Sequence, residues 1–243
     1  MKLIRYPFVF IPVVLLLLSN STSSLNEKNT GKYILSPTIV NEKVILNAAI
    51  LFDKWNLAAS GLSKDAFEMA QKGYITLDEK HLLNKNNLLT IIDFSKASTQ
   101  KRLFVLDMST GEILFNSLVA HGRKSGENFA TNFSNKEESH KSSLGFYVTL
   151  DTYVGENGYS LKLKGCETGI NDKAYNRAIV LHGADYVSEK FIRQNGYLGR
   201  SYGCPAVPKA LSKKIIDVIK GGSCMFLYYP SKNYSSQSKI LNS

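Results

Sequence analysis

Cys204 and His182 are the side chains whose types and setting point to covalent chemistry, and both lie in one stretch, Arg177 to Pro208, RAIVLHGADYVSEKFIRQNGYLGRSYGCPAVP. A thiol attacks as its thiolate, which a neighbouring base or positive charge must favour; His182 supplies the base and Arg200, close in sequence, the charge. Gly196, Gly199 and Gly203 precede the cysteine, and Pro205 and Pro208 follow it. That composition predicts a constrained loop, the kind of segment on which a rigid scaffold mounts its chemistry. No pair among Cys166, Cys204 and Cys224 has the two-to-four-residue spacing of a structural zinc site, and the histidines at 81, 121, 140 and 182 are scattered, so no metal is expected. The glycines lack the strand-turn-helix setting of a phosphate loop, and no cofactor is expected.

The elements that must position this stretch are mostly strands. The apolar run Ala178 to Leu181 predicts a buried strand that delivers His182 and Gly183 at its end. Upstream, Leu88 to Phe94, Arg102 to Asp107 and Glu112 to Ala120 are β-rich, the last two joined by a hairpin at Met108 to Gly111. Arg123 to Ser143 has no periodicity and reads as an active-site flap or an ordered wrap. A second hairpin pairs Leu144 to Tyr153 with Tyr159 to Leu163 around a turn at 154–158, and beyond the cysteine come a helix, Lys209 to Lys220, and a last strand, Cys224 to Tyr229. Before the strands, three- and four-residue periodicity predicts a helix from Thr38 to Leu57, and a second that starts at Ser63 and stops at Gly73. The fold class is mainly β (α+β), with a small N-terminal helical appendage whose apolar stripes must bury against the sheet.

The ends carry different signals. Lys2 and Arg5, the apolar run Pro7 to Leu18 and the small polar tract Ser19 to Ser24 have the layout of a secretory signal, and the run is too short for a spanning helix. The expected organisation is a signal peptide at 1–24, a linker and helical appendage at 25–87, a catalytic domain at 88–229 and a flexible tail at 230–243. Export to a periplasm, cell wall or extracellular space follows, with no stable membrane span once the signal is cleaved. Three cysteines in an oxidising compartment leave Cys204 free, with Cys166 and Cys224 either paired or buried as small apolar groups. The formal net charge of +10 suits an anionic surface such as a wall polymer or lipid head groups, or serves solubility alone. Nucleic acid is disfavoured by export and by the absence of a dense Lys/Arg cluster. Oligomeric state leaves no mark in the sequence.

His182-Gly183 followed by Ser201-Tyr202-Gly203-Cys204 resembles the L,D-transpeptidase catalytic domain, whose motif is a His-Gly pair and then Ser/Thr-x-Gly-Cys. The likeness is greatest to its exported murein branch, through Gly199 to Pro208 (GRSYGCPAVP), Val119 to Gly122, Phe133 to Asn135, Ser142 to Phe146 and Tyr186 to Ser188. Tyr202 stands where most of the wider family has histidine. The resemblance implies a β-sandwich or barrel-like catalytic domain and attack by Cys204 on a peptidoglycan stem peptide, with a thioester resolved by an amine, giving a cross-link, or by water, giving carboxypeptidase activity. His182 would take the thiol proton, the Gly183 carbonyl would orient the imidazole, and the Gly203 and Cys204 N–H groups would meet the oxyanion. Arg200 and Ser201 either bind a substrate carboxylate or brace the loop, His121 either closes a strand or faces the cleft, and Tyr202 belongs to the core or to the substrate site. The competing readings are a catalytically silent wall-binding module and a papain-type thiol hydrolase, which orders cysteine before histidine.

Overall fold

The computed structural model describes residues 47–243. The expected signal segment, and the first part of the helix expected from Thr38, lie outside the described residues. Helix α1 covers 47–54 and α2 runs Lys64–Glu79, followed by strands β1 (Lys85–Asp93), β2 (Leu103–Asp107), β3 (Ile113–Ser117), β4 (Gly145–Gly155), β5 (Gly158–Gly165) and β6 (Val180–Ala184). Helix α3 (Glu189–Asn195), β7 (Ala206–Pro208), α4 (Lys209–Ile219), β8 (Ser223–Tyr228) and α5 (Lys232–Gln237) complete the chain.

The strands form one sheet in the order β3-β2-β1-β8-β4-β5-β6-β7. The two ends of that order meet, because the segment after β3 bridges β7 at Ala120 and Ala206, with Ala120 N donating to Ala206 O at 2.8 Å. The sheet is therefore nearly closed and barrel-like, which agrees with the mainly β expectation. β1 and β8 pair in parallel at its middle, and all six residues of β8 are buried. Strands covered on both faces read as continuous apolar runs, and Leu89, Ile91 and Ile92 on β1 have no exposed surface. Helix α2 closes one side, burying Phe67, Ala70 and Leu77 against β1 and β8; α4 lays Ile215, Ile216 and Ile219 beside β5 and β6. Each such side chain contributes about 1.5–3 kcal/mol of burial.

Several expectations are corrected. Gly73 does not end its helix, since α2 continues to Glu79; the Phe146 ring occupies the space a Cβ at Gly73 would fill, so glycine there serves a close approach to that ring. The second hairpin turns on two residues, since Gly155 pairs with Gly158. The 230–243 segment is no frayed tail. It forms α5, buries Tyr234, Ile240 and Leu241, and is tied to the buried Glu167, whose Oε2 accepts from Tyr234 at 3.0 Å and whose Oε1 accepts from the Ser238 hydroxyl. Helix α3 and strand β7 are additions, α3 being capped by Ser188, whose hydroxyl accepts from Phe191 N at 3.2 Å. Cys166 and Cys224 are both free, with Cys224 on β8, Cys166 just past β5, and β4 between those strands.

Candidate active site

Strand β6 delivers the histidine, but earlier in the element than expected, for His182 and Gly183 lie inside β6 and not at its end. In parallel register His182 faces Ala206 of β7, and its N–H donates to Pro205 O at 3.3 Å. Extending that register back by two residues sets Cys204 beside Val180, and Val180 N–H indeed donates to the Cys204 sulfur at 3.5 Å. The imidazole is 3% exposed, and its Nδ1 lies 3.0 Å from Gly183 O, which assigns the proton to Nδ1 and leaves Nε2 the basic nitrogen. The thiol is half-buried and donates to Ala178 O at 3.7 Å. Among the described residues no direct Cys204–His182 hydrogen bond is formed. Ala178 holds its carbonyl there from φ 52, a left-handed conformation uncommon for alanine and of the kind that collects at functional sites.

The loop that carries the thiol is braced from inside. Ser201 is 7% exposed; its hydroxyl accepts from Gly203 N at 3.0 Å and donates to Cys204 O at 2.6 Å, closing the turn on itself. Ser201 therefore braces the loop. The Gly203 N–H, expected at an oxyanion, is already engaged by that hydroxyl, whereas the Cys204 N–H has no protein acceptor among the described residues. What Gly203 contributes is space, with φ at 132 and a position where a Cβ would lie 2.9 Å from Lys141 O and 3.0 Å from Ile179 Cδ1. Ser142, fully buried, joins two loops: its hydroxyl accepts from Gly122 N and donates to Gly203 O, each at 3.0 Å.

The cation at the thiol is Arg177, not Arg200. Its Nη1 donates to Ser134 O at 2.8 Å and Ser143 Oγ at 2.7 Å, and its Nη2 to Lys141 O at 2.8 Å and Ser139 Oγ at 3.2 Å. One guanidinium thus fastens the 123–143 segment as an ordered wrap beside the cysteine. Burial pushes the Cys204 thiol above its ordinary value, while the Val180 N–H and the Arg177 charge pull it back. Burial likewise holds His182 below the usual imidazole range, against the Gly183 hydrogen bond. The resting pair is thiol and neutral imidazole. Burial first, and then the nearby Cys204, push the Tyr186 phenol up to about 12, which places it within electrostatic reach of the sulfur.

Two expected site residues adjoin the thiol loop with their side chains engaged inside the protein. His121 has no exposed surface; Arg102 Nη2 donates to its Nδ1 at 2.8 Å and its Nε2 lies 3.3 Å from Gly126 O, so both ring nitrogens are engaged. Burial and the Arg102 charge drive its pKa down to about 3, and it is a neutral structural histidine rather than a cleft residue. Arg102, also fully buried, directs its other N–H groups to Val119 O and Lys96 O. Arg200 stacks 5.0 Å from the Tyr197 ring and donates to Gly126 O at 3.3 Å, so it braces the wrap. Tyr202 is not core: it is 64% exposed, packs 4.7 Å from the His140 ring, and lines a cavity of about 330 Å³ with Glu137, Glu138, Arg177, Ala178 and Ile179. Arg177 stood in the motif stretch, but its partners are 34 to 43 residues away, and no local pattern announces them.

The cysteine thus stands on a braced loop, and the histidine of the neighbouring strand is anchored through the next residue's carbonyl. The family described as L,D-transpeptidase catalytic domain matches residues 58–228, and the chain belongs to that family. The match begins in the 3₁₀ turn before α2 and so includes α2. The chain is similar in structure to an L,D-transpeptidase from Mycobacterium smegmatis, at 13% identity and a TM-score of 0.36, covering 59% of this chain and 59% of that one. Similarity to an L,D-transpeptidase from Stackebrandtia nassauensis covers 69% of this chain and 68% of that one, at 12% identity and a TM-score of 0.37. For the Xylanimonas cellulosilytica L,D-transpeptidase the values are 58%, 60%, 15% and 0.33. A comparison with curated protein sequences gives no match.

Proposed function

We propose that the chain is an exported cysteine acyltransferase acting on peptidoglycan stem peptides, with Cys204 as nucleophile and His182 as base. The observation that carries this reading is the β6–β7 register, which sets His182 and the cysteine loop on neighbouring strands while Gly183 O fixes the imidazole. The sulfur attacks the carbonyl of the diaminopimelate-type residue, its proton passes to His182 Nε2, and the Cys204 N–H meets the developing oxyanion. Collapse breaks the peptide bond; the departing D-alanine amine takes the proton from His182, and a thioester remains. An amine of a second stem then attacks the thioester, giving a cross-link and the free thiol; water gives the carboxylic acid. Because the resting pair is neutral, substrate binding must supply the bias for proton transfer, by excluding water and moving the sulfur from Ala178 O to Nε2. Export rests on the layout of 1–24, and no helix among the described residues is long and apolar enough to cross a membrane.

Intact-mass measurement with a synthetic stem tetrapeptide tests the reading. The wild type gains the mass of the acyl stem without its D-alanine, and Cys204→Ala gains nothing. A wild type that forms no adduct leaves a wall-binding module as the better account, and an adduct that water alone resolves makes the protein a carboxypeptidase.

A further inference from the structure

The backbone segment that the Cys204 sulfur bonds to is also the wall between two cavities. Both are lined by Ala178 and Ile179, and the sulfur bonds to the backbone at either end of that segment, to Ala178 O and Val180 N. The two sides differ in charge. The larger carries Glu137 and Glu138, and its arginine, Arg177, has all four terminal N–H bonds committed to the wrap. The smaller, about 230 Å³, is walled by Tyr153 and Tyr175, floored by Ile179 and Val180, and holds Lys162.

Strand register puts Lys162 there. Lys162 faces Val180 across β5 and β6, while Tyr153, Ser160 and His182 form the adjacent row across β4, β5 and β6. Directly paired residues share a face, so Lys162 lies on the histidine's side of the sheet, one strand from the residue that holds the sulfur. Its ammonium lies 5.6 Å from the Tyr153 ring centre and takes part in no ion pair among the described residues. A half-buried cation with free donors, aromatic side walls and an apolar floor fits a short residue ending in a carboxylate. The volume is below the roughly 300 Å³ at which drug-sized pockets begin, which suits a single amino acid. The opposite cavity, with its two glutamates, repels the same group.

Resting on the acyl-transfer reading above, we propose that the Lys162, Tyr153 and Tyr175 pocket is the leaving-group subsite, in which Lys162 binds the free α-carboxylate of the terminal amino acid that the thiol displaces. The donor is then selected as a peptide with a free C-terminus, and Lys162 is a specificity-determining residue.

The test compares thioester formation, read by intact mass against time, for a stem tetrapeptide ending in free D-alanine and for its C-terminal carboxamide. The wild type acylates with the acid faster by about tenfold or more, the low end for a hydrogen bond to a charged group. Lys162→Met slows the acid by that factor, leaves the amide rate unchanged and so abolishes the preference, and Lys162→Arg retains it. A wild type that uses both peptides equally overturns the assignment. So does a Lys162→Met protein that keeps the preference, or one in which both rates fall in proportion, which would make Lys162 a structural residue. In each of those cases the thioester still forms and the acyl-transfer reading stands; a wild type that forms none with either peptide overturns both.

Discussion

Ser142→Ala isolates the contribution of one hydroxyl that no catalytic scheme needs to touch. The side chain has no exposed surface, accepts from Gly122 N and donates to Gly203 O, both at 3.0 Å. Alanine removes both bonds at once and leaves a buried donor and a buried acceptor, each at about 1–3 kcal/mol. The apolar gain from losing a hydroxyl is at most about 0.8 kcal/mol, so the sign is destabilising and the net cost is roughly 1–5 kcal/mol. With a urea m-value of about 2 kcal/mol/M, the unfolding midpoint falls by roughly 0.5–2.5 M. The loss has a direction, because the freed groups belong to the loop after β3 and to the loop carrying the thiol, whose backbones touch: a Cβ on Gly122 would stand 3.0 Å from the Gly203 Cα. Thioester formation therefore slows in conditions where the variant is still fully folded by circular dichroism. A midpoint within about 0.25 M of the wild type, together with an unchanged acylation rate, would refute the claim that Ser142 holds the thiol loop in register.

Burial raises all three thiols, and they differ in what offsets it, the Val180 N–H and the Arg177 charge acting on Cys204 alone. Cys204 is raised but countered by Arg177, Cys166 is pushed up to about 12, and Cys224 lies well above its ordinary value, so iodoacetamide at pH 9 labels Cys204 first, and Arg177→Met slows that labelling. His121 titrates at about 3 in the folded chain and near 6.5 unfolded, so its neutral form stabilises fully above that higher value. Stability is then lost as pH falls from about 6.5 towards 3, at up to ~1.4 kcal/mol per unit, and urea midpoints for His121→Gln decline less over that window. Gly73→Ala sets about 1 kcal/mol of helix propensity against overpacking on Phe146 worth about 1–3 kcal/mol, and the melting temperature should fall.

The legible part of this protein is the part in which neighbours in sequence do the work. The apolar runs on β1, β2 and β8 announce strands because strands buried on both faces have no polar phase to confuse, and the cysteine loop announces itself by glycines and prolines that fix backbone shape locally. Gly73 misled for the opposite reason: glycine signals a helix end or a close approach equally well, and only the tertiary position of Phe146 decides between them. The polar C-terminal segment reads as frayed because its anchors are a single buried glutamate and a few apolar residues spread along an otherwise hydrophilic run.

The same distinction explains the site. His182, Gly183 and Cys204 are joined by a parallel pair, β6 with β7, that a motif can encode because its spacing is nearly fixed along the chain. The charges around them are not encoded that way. Arg200 is near in sequence and turns to Tyr197 and Gly126, whereas Arg177, just before β6, bonds to the distant wrap, and Lys162 arrives only because β5 pairs antiparallel with β6 in one register. Slipping that register by one residue would move Lys162 to the opposite face and Leu161 or Leu163 to the thiol side. Reaction class is thus carried by a short motif, while the charge pattern that would select one peptide over another is carried by sheet register; relatives that keep the motif and change the β5 sequence are therefore expected to keep the chemistry and alter the donor.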